Sequence, residues 1–153
     1  MAFSISSPVI SHNGKIPQKY TFEGENISPE LIFSNVPPET VSLALIMDDP
    51  DAPRGVFTHW IVFNIPKDAA GLSEKVPPIP ELPDGSRQGK NDYGSVGYGG
   101  PFPPPGKPHH YNFTLYALDT KLNLNAGATK NEVLEAMKGH ILEQTTLCGI
   151  YQR

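Results

Sequence analysis

Cysteine is almost missing from this 153-residue sequence, in which Cys148 is the only one. A single cysteine cannot form an internal disulfide, and such usage is typical of a reducing compartment. The first residues lack the positive start and the apolar run of a secretory signal, and no stretch approaches the ~20 apolar residues of a membrane span. We therefore expect a cytoplasmic protein that is not inserted into a membrane.

Positive charge is also scarce. The 12 Lys and Arg residues are outnumbered by 16 Asp and Glu residues, which gives a net charge of -4, and they form no cluster. Nucleic acids and anionic membranes need a concentrated positive face, so we expect neither as the main partner. What the sequence does contain is 17 prolines and 14 glycines, which predict many turns, and 38% hydrophobic residues. This is enough for the core of one globular domain spanning residues 1–153.

Apolar and β-branched runs predict a mostly β fold. Residues 42–48 are apolar at successive positions, which is typical of a strand buried on both faces. Two further long strands are predicted over residues 60–65 and His109–Leu118. Shorter strands are predicted over residues 19–22, residues 30–33 and Ile141–Tyr151, the last of them broken by Gly149.

One amphipathic helix is predicted to begin after Thr129. Glu132 follows three residues later, as in a capping box, while Val133, Leu134 and Met137 make an apolar stripe and Gly139 stands where helices often end. The sequence therefore predicts an antiparallel, mostly β domain with one or two short peripheral helices.

Acidic residues and a histidine flank the connection between the first two long strands. Asp49 and Asp51 follow the first strand, His59 precedes the second, and Pro50 and Pro53 stiffen the connection. If these strands are antiparallel neighbours, Asp49 and His59 meet at one end of the sheet. Two interpretations stay open: a site built on the pair, or a proline-rich turn followed by a core histidine.

A second feature is the glycine- and proline-rich segment of residues 97–108. Glycines let backbone N–H groups approach a ligand and form an anion-binding concavity. The spacing fits neither a P-loop nor a dinucleotide fingerprint. The segment ends the second of two long irregular stretches, residues 66–88 and 89–108, whose length is typical of functional or disordered loops. The first stretch is either a dimer contact or a surface loop.

The adjacent histidines His109 and His110 begin the third long strand. Successive side chains of a strand point to opposite faces, so the two histidines cannot serve one pocket. Tyr111 and Phe113 share the face of His109, which makes His109 the candidate for a site.

Two ordered blocks of the sequence resemble a known family. They are Asp49-Pro50-Asp51-Ala52-Pro53 with His59-Trp60, and Gly97-Tyr98-x-Gly100-Pro101-x-Pro103-Pro104 with His109-His110-Tyr111. The blocks are similar to the phosphatidylethanolamine-binding protein family, in particular to its bacterial and archaeal Raf kinase inhibitor-like members. The resemblance implies a β-sandwich with a Greek-key element and a pocket for phosphate-like or carboxylate anions at one end of a sheet.

The resemblance also implies which residues line or brace that pocket: Asp49, Asp51, Pro53, His59, Gly100, Pro101, His109 and Tyr111. The imidazoles, the backbone N–H groups of the glycine segment and the Tyr111 hydroxyl can all donate to an oxyanion. Asp49 is expected to orient an imidazole and to raise the pKa of His59. No metal ligand, cofactor or catalytic residue is predicted.

The function expected from this reasoning is the binding of a small anion, phosphate- or phosphoethanolamine-like or a carboxylate, with a regulatory role through a protein partner. Two alternatives stay open. The first is a hydrolase or another acid–base enzyme that uses the His and Asp side chains. The second is an inhibitor of a protease or kinase. A homodimer is one assembly that the sequence leaves open.

Overall fold

Nine strands and one α-helix make up the regular structure of residues 2–153. A computed structural model describes residues 2–153. The elements are β1 (Ser4–Ser6), β2 (Gly14–Lys15), β3 (Leu31–Ser34), β4 (Ser42–Asp49), β5 (Phe57–Pro66), β6 (Gly71–Leu72), β7 (Arg87–Gln88), β8 (His109–Leu118), α1 (Lys130–Met137) and β9 (Ile141–Tyr151). The mostly β class with one helix is confirmed.

The strands form two sheets. The larger sheet has six strands in the order β2-β9-β8-β4-β5-β7, and the smaller one has three in the order β1-β3-β6. All pairs are antiparallel except β2 with β9, which run parallel. Because β4 lies between β5 and β8, the exit of β4 meets the entrances of both neighbours at one end of the sheet.

Strand β4 is buried on both faces, as its apolar sequence predicts. Leu45 and Met47 face the core that the large sheet shares with residues of the small sheet, such as Phe33. Ala44 and Ile46 face the opposite way, into a second core that includes Val133 and Met137 of α1. The helix therefore covers the outer face of the large sheet. Leu134, predicted on the same apolar stripe, is exposed instead. Its predicted capping box is confirmed, because the Thr129 hydroxyl accepts from the Glu132 N–H (3.2 Å) and the Thr129 N–H donates to Glu132 Oε1 (2.9 Å).

Two of the shorter predictions are wrong. Residues 19–22 form no strand, because Gln18–Tyr20 is a 3₁₀ turn in which the Tyr20 N–H donates to the carbonyl of Pro17 (3.1 Å). Gly149 does not break β9, which pairs continuously with β8 through this position. Glycine is needed there for space, since an added Cβ would lie 2.6 Å from Cγ1 of Ile16.

The long stretches 66–88 and 89–108 are tied down by hydrogen bonds. They contain β6 and β7 and a bridge between Lys90 and Val96. The buried Gln88 side chain donates to the carbonyls of Pro77 (2.7 Å) and Ile79 (2.9 Å). Both stretches therefore belong to the ordered fold. No helix within residues 2–153 has the length and apolar character needed to cross a membrane.

Candidate functional site

The residues that the sequence singles out converge where three strands of the large sheet meet. Asp49 is the last residue of β4, His59 lies near the start of β5, and His109 and Tyr111 begin β8. All four are buried, with exposed fractions of 3% for Asp49, 3% for His59, 8% for His109 and 1% for Tyr111. The predicted antiparallel pairing of β4 with β5 is confirmed and brings Asp49 and His59 to the same sheet end.

A β-bulge places His59. Met47 pairs with Trp60 and Asp48 pairs with Thr58, so His59 is an extra residue on β5 with no partner on β4. Bulges locally bend a strand and re-aim a side chain. Here the bulge directs the imidazole of His59 to the cavity at the sheet end, while Trp60 stays in the core.

Asp49 holds His109. Its Oδ2 lies 2.6 Å from Nδ1 of His109, and its Oδ1 accepts the backbone N–H of Asp51 at 2.7 Å. The first contact requires a proton on Nδ1, because a carboxylate can only accept. The Nε2 atom of His109 is therefore left for other partners. The predicted orienting role of Asp49 thus applies to His109.

His59 is held by a different group. Its Nδ1 lies 2.7 Å from the carbonyl oxygen of Gly99. The ring is buried, and burial lowers the pKa of His59 although Asp49 and Asp92 oppose the shift. The expected net rise of this pKa is wrong, because desolvation of the His59 ring outweighs the favourable charge of Asp49.

A cavity of about 120 Å³ opens between these side chains. The sequence-predicted residues that line it are Asp49, Pro53, His59, His109 and Tyr111. Sequence reasoning missed the rest of the lining, which consists of Ala52, Phe57, Tyr93, Phe102, Pro103 and Pro104. Only their positions, within or beside the two sequence blocks quoted above, could have indicated that these residues line the cavity. Burial raises the pKa of Tyr93 to about 12 and also raises that of Tyr111, so both hydroxyls keep their protons at neutral pH.

The glycine segment supports the cavity wall from behind. The N–H of Gly97 donates to the carbonyl of Gly89 (3.4 Å), that of Gly99 to the carbonyl of His59 (2.9 Å) and that of Gly100 to Oδ1 of Asn26 (2.8 Å). The expectation that these N–H groups donate to an anion is therefore wrong, since each one has a partner within the chain. Gly100 is needed for packing, because an added Cβ would lie 2.4 Å from the carbonyl oxygen of Tyr20.

Three predicted site residues, Asp51, Gly100 and Pro101, do not line the cavity. Asp51 accepts from both the backbone N–H (2.8 Å) and Nδ1 (2.7 Å) of the exposed His110. These bonds lower the pKa of Asp51 and tie the β4–β5 connection to β8. The predicted difference between the adjacent histidines is confirmed, because His109 is buried and His110 is exposed on the opposite face.

Gln152 and Arg153 bond to residues 102–106, which form the outer lip of the cavity. The guanidinium of Arg153 lies 4.1 Å from the centre of the Phe102 ring and donates to the carbonyl of Pro103 (3.1 Å). Gln152 donates to the carbonyl of Gly106 (2.6 Å). Phe102 and Pro103 are lining residues, so Arg153 positions the lip without entering the cavity.

We expect Arg153→Ala to weaken binding of inorganic phosphate about threefold to tenfold, because a cation–π contact and a hydrogen bond to the lip are each worth about 0.5–1.5 kcal/mol. Arg153→Lys keeps the charge but loses the planar stacking, so it should restore only part of the affinity. Calorimetric titration measures both. Arg54→Ala is the control, since it removes the same charge from an exposed residue of the β4–β5 connection. An equal loss in both variants would show that charge alone acts.

We expect the protein to lose stability as the pH falls below about 6.5, the ordinary histidine pKa, because the pKa of His59 is lowered in the folded state. Between the two pKa values the unfolded chain binds the extra proton, so stability rises with pH by up to about 1.4 kcal/mol per unit. The contribution of Asp51 is lost near pH 4, in a separate window.

Thermal melts of the wild type and of His59→Asn between pH 5 and pH 7.5 measure this effect. The introduced amide would retain an N–H donor for the carbonyl of Gly99 and carries no titrating group. The variant should therefore lose less stability on acidification. An identical slope in both proteins would assign the effect to another group.

No group of three or more His, Cys, Asp or Glu side chains in residues 2–153 is arranged to hold a metal ion. The polar set of the cavity is instead one carboxylate–imidazole pair, a second imidazole and two tyrosine hydroxyls. Such a set can exchange protons and hydrogen-bond a small polar ligand.

The fold and the site together define a class of protein. It is a mostly β chain of two sheets, with a buried Asp–His pair in a cavity at the strand ends. The sequence profile described as phosphatidylethanolamine-binding protein matches residues 6–152. The chain therefore belongs to the phosphatidylethanolamine-binding protein family, as the sequence blocks predict.

Relatives and solved structures agree with this assignment. A UPF0098 protein of Methanothermobacter thermautotrophicus is 55% identical over 150 residues, which cover 98% of this chain and 99% of the relative. The crystal structure of Escherichia coli YbcL, described as a new member of the mammalian family, superposes with a TM-score of 0.93 at 33% identity and covers 100% of this chain and 99% of its own. The crystal structure of CT736 from Chlamydia trachomatis is described as that of a putative family homolog. It superposes with a TM-score of 0.91 at 40% identity and covers 99% of this chain and 98% of its own.

Proposed function

We propose that this chain binds a small oxyanion, phosphate- or phosphoethanolamine-like or a carboxylate, in the cavity at the strand ends, and that it acts as a binding protein. The observation that carries the proposal is the buried His109, whose Nδ1 is held by Asp49 at 2.6 Å. An imidazole held in this way presents Nε2 to the cavity in one orientation and donates a charge-assisted bond when protonated. Tyr111 lines the cavity beside it, and its hydroxyl, shared with Asp49, is a second donor.

The family description supports the same ligand class, because phosphatidylethanolamine carries a phosphate in its headgroup. The small volume of the cavity fits a headgroup or a free anion rather than a large organic molecule, for which pockets of about 300–1,000 Å³ are usual.

Titration of the histidine side chains tests the proposal. We expect inorganic phosphate or phosphoethanolamine to shift the imidazole NMR signals of His109 and to leave those of His110 unchanged. His109→Gln should weaken phosphate binding about tenfold or more, since a hydrogen bond from a charged group is worth about 1.5–3 kcal/mol. His110→Gln is the matched control. Loss of folding in His109→Gln with unchanged affinity in the folded fraction would show that His109 is structural.

A general acid–base enzyme is the second candidate, and the Asp49–His109 pair favours it. The lining residues include no Ser, Thr, Cys or Lys that could act as a nucleophile, which supports binding as the first choice. If the wild type hydrolysed p-nitrophenyl phosphate and His109→Gln did not, the enzyme would become the first candidate and the binding protein the second.

Regulation through a protein partner, such as a kinase or protease, is part of the proposal. Exposed aromatic side chains lie at the mouth of the cavity: Tyr93 and Phe102 line it, and Phe22 packs against both rings. Aromatic side chains are enriched in protein interfaces, so this collar supports a partner that covers the mouth.

The proposal extends to fold detail, assembly and location. The core shared by both sheets supports a sandwich with a Greek-key element, and the free Cys148 supports a cytoplasmic location. Within residues 2–153, the outer edge of β9 has no partner strand before Cys148, which supports pairing of this edge with a second copy in a homodimer. Light scattering coupled to gel filtration tests the dimer.

A further inference from the structure

The polar groups of the cavity are not those of a simple anion site, because donors are few. The Tyr93 hydroxyl already donates to the carbonyl of Gly100 (2.8 Å), and the glycine N–H groups are bonded elsewhere. This leaves two donors: the Tyr111 hydroxyl, which is shared with Asp49, and Nε2 of His109 when that ring is protonated. Asp49 adds acceptor oxygens at the same place.

The imidazole of His59 is a further acceptor. A carbonyl oxygen can only accept, so the 2.7 Å contact with Gly99 puts the proton of the neutral ring on Nδ1. Nε2 is then an unprotonated nitrogen with a lone pair, on a side chain that lines the cavity. A ligand oxygen without hydrogen cannot bond to this atom.

The surroundings of His59 keep its ring neutral. Three chain segments bring titratable groups to it or to the same cavity: Asp49 from β4, Asp92 and Tyr93 from stretch 89–108, and His109 and Tyr111 from β8. The two carboxylates favour the protonated ring, but burial among aromatic rings outweighs them and the pKa of His59 is lowered.

We propose that the cavity selects an oxyanion that carries its own proton, such as hydrogen phosphate, over one that carries none, such as sulfate. The P–OH group donates to Nε2 of His59, while the P–O⁻ oxygens accept from Tyr111 and from Nε2 of the protonated His109 ring. The inference rests on the proposed anion binding at this site and narrows its ligand class: carboxylates and fully ionised phosphate monoesters are disfavoured. A buried acceptor left without a donor costs more than its hydrogen bond contributes when made, which is why such sites discriminate strongly.

Phosphate and sulfate form a matched pair for the test. At pH about 8 both tetrahedral ions are mainly dianions, and only phosphate keeps a hydrogen. We expect calorimetry at constant ionic strength to give at least tenfold tighter binding of phosphate, the effect of about one buried hydrogen bond. Repeating the titrations in two buffers of different ionisation enthalpy measures how many protons the protein and the ion take up per ion bound. Sulfate should take up about one proton more per ion bound than phosphate, because sulfate needs a protonated His59 in addition to the protonated His109 that both ions use.

His59→Asn separates the role of Nε2 from folding. The variant keeps a donor for the carbonyl of Gly99 but has no atom in the place of Nε2. We expect the ratio of phosphate to sulfate affinity to fall to within about threefold. His110→Asn, at the exposed neighbour, should keep the wild-type ratio. The measurement of proton uptake needs only the wild-type protein, so it tests the inference even if His59→Asn does not fold.

Equal affinities for the two ions, or tighter binding of sulfate, would overturn this inference and leave the proposed function intact. If folded His59→Asn kept the wild-type ratio of phosphate to sulfate affinity, the inference would also be overturned, because another group would then accept the hydrogen bond from the P–OH group. Binding of neither ion would overturn the proposed function and the inference with it.

Discussion

Replacing Gln88 by leucine should destabilise the protein by about 3 kcal/mol or more, because one fully buried side chain bonds three polar groups, among them the buried indole N–H of Trp60. Its Oε1 accepts the indole N–H of Trp60 (2.8 Å), and its Nε2 donates to the carbonyls of Pro77 (2.7 Å) and Ile79 (2.9 Å). Leucine has a similar size but neither donor nor acceptor. Each group left unpaired away from water costs about 1–3 kcal/mol.

Urea denaturation of Gln88→Leu measures the loss, and Gln144→Leu on the exposed part of β9 is the control, expected to change stability by no more than about 0.5 kcal/mol. Trp60→Phe removes the indole N–H, so the double variant should lose less than the sum of the single ones. A loss below about 1 kcal/mol for Gln88→Leu would mean that residues 77–79 move and bond to water instead.

Asp49→Asn should weaken phosphate binding about tenfold to a hundredfold, the usual cost of removing a group that orients a ligand-binding histidine. The carboxylate bonds through both oxygens, Oδ1 to the N–H of Asp51 and Oδ2 to Nδ1 of His109. Asparagine has only one acceptor oxygen, so its amide nitrogen must face one of these partners.

Calorimetry with inorganic phosphate measures the effect of Asp49→Asn. Asp51→Asn is the matched control, because it makes the same change two residues away in a carboxylate that bonds the exposed His110. We expect the control to bind within about twofold of the wild type. If Asp49→Asn bound phosphate as the wild type does, the Asp49–His109 bond would have no part in binding.

Local patterns decided the regular elements, and these could be predicted from the sequence. The bounds of β8 match their prediction because its ten residues alternate between buried and less buried positions, which also separates His109 from His110. The capping box at Thr129 and the helix that follows depend on residues within one turn of each other. The two sequence blocks likewise identified the family and the sheet end where the cavity lies.

Only the tertiary structure decided how the groups at that sheet end are paired. Asp49 lies between two strands that each offer a histidine, and a bulge on β5 together with the carbonyl of Gly99 gives His59 another partner. Glycine N–H groups that could face a ligand face the chain instead, because segments distant in sequence, such as the one around Asn26, pack behind them. These choices depend on contacts between residues dozens of positions apart, which no local period or motif encodes, and they decide whether the cavity holds donors or acceptors.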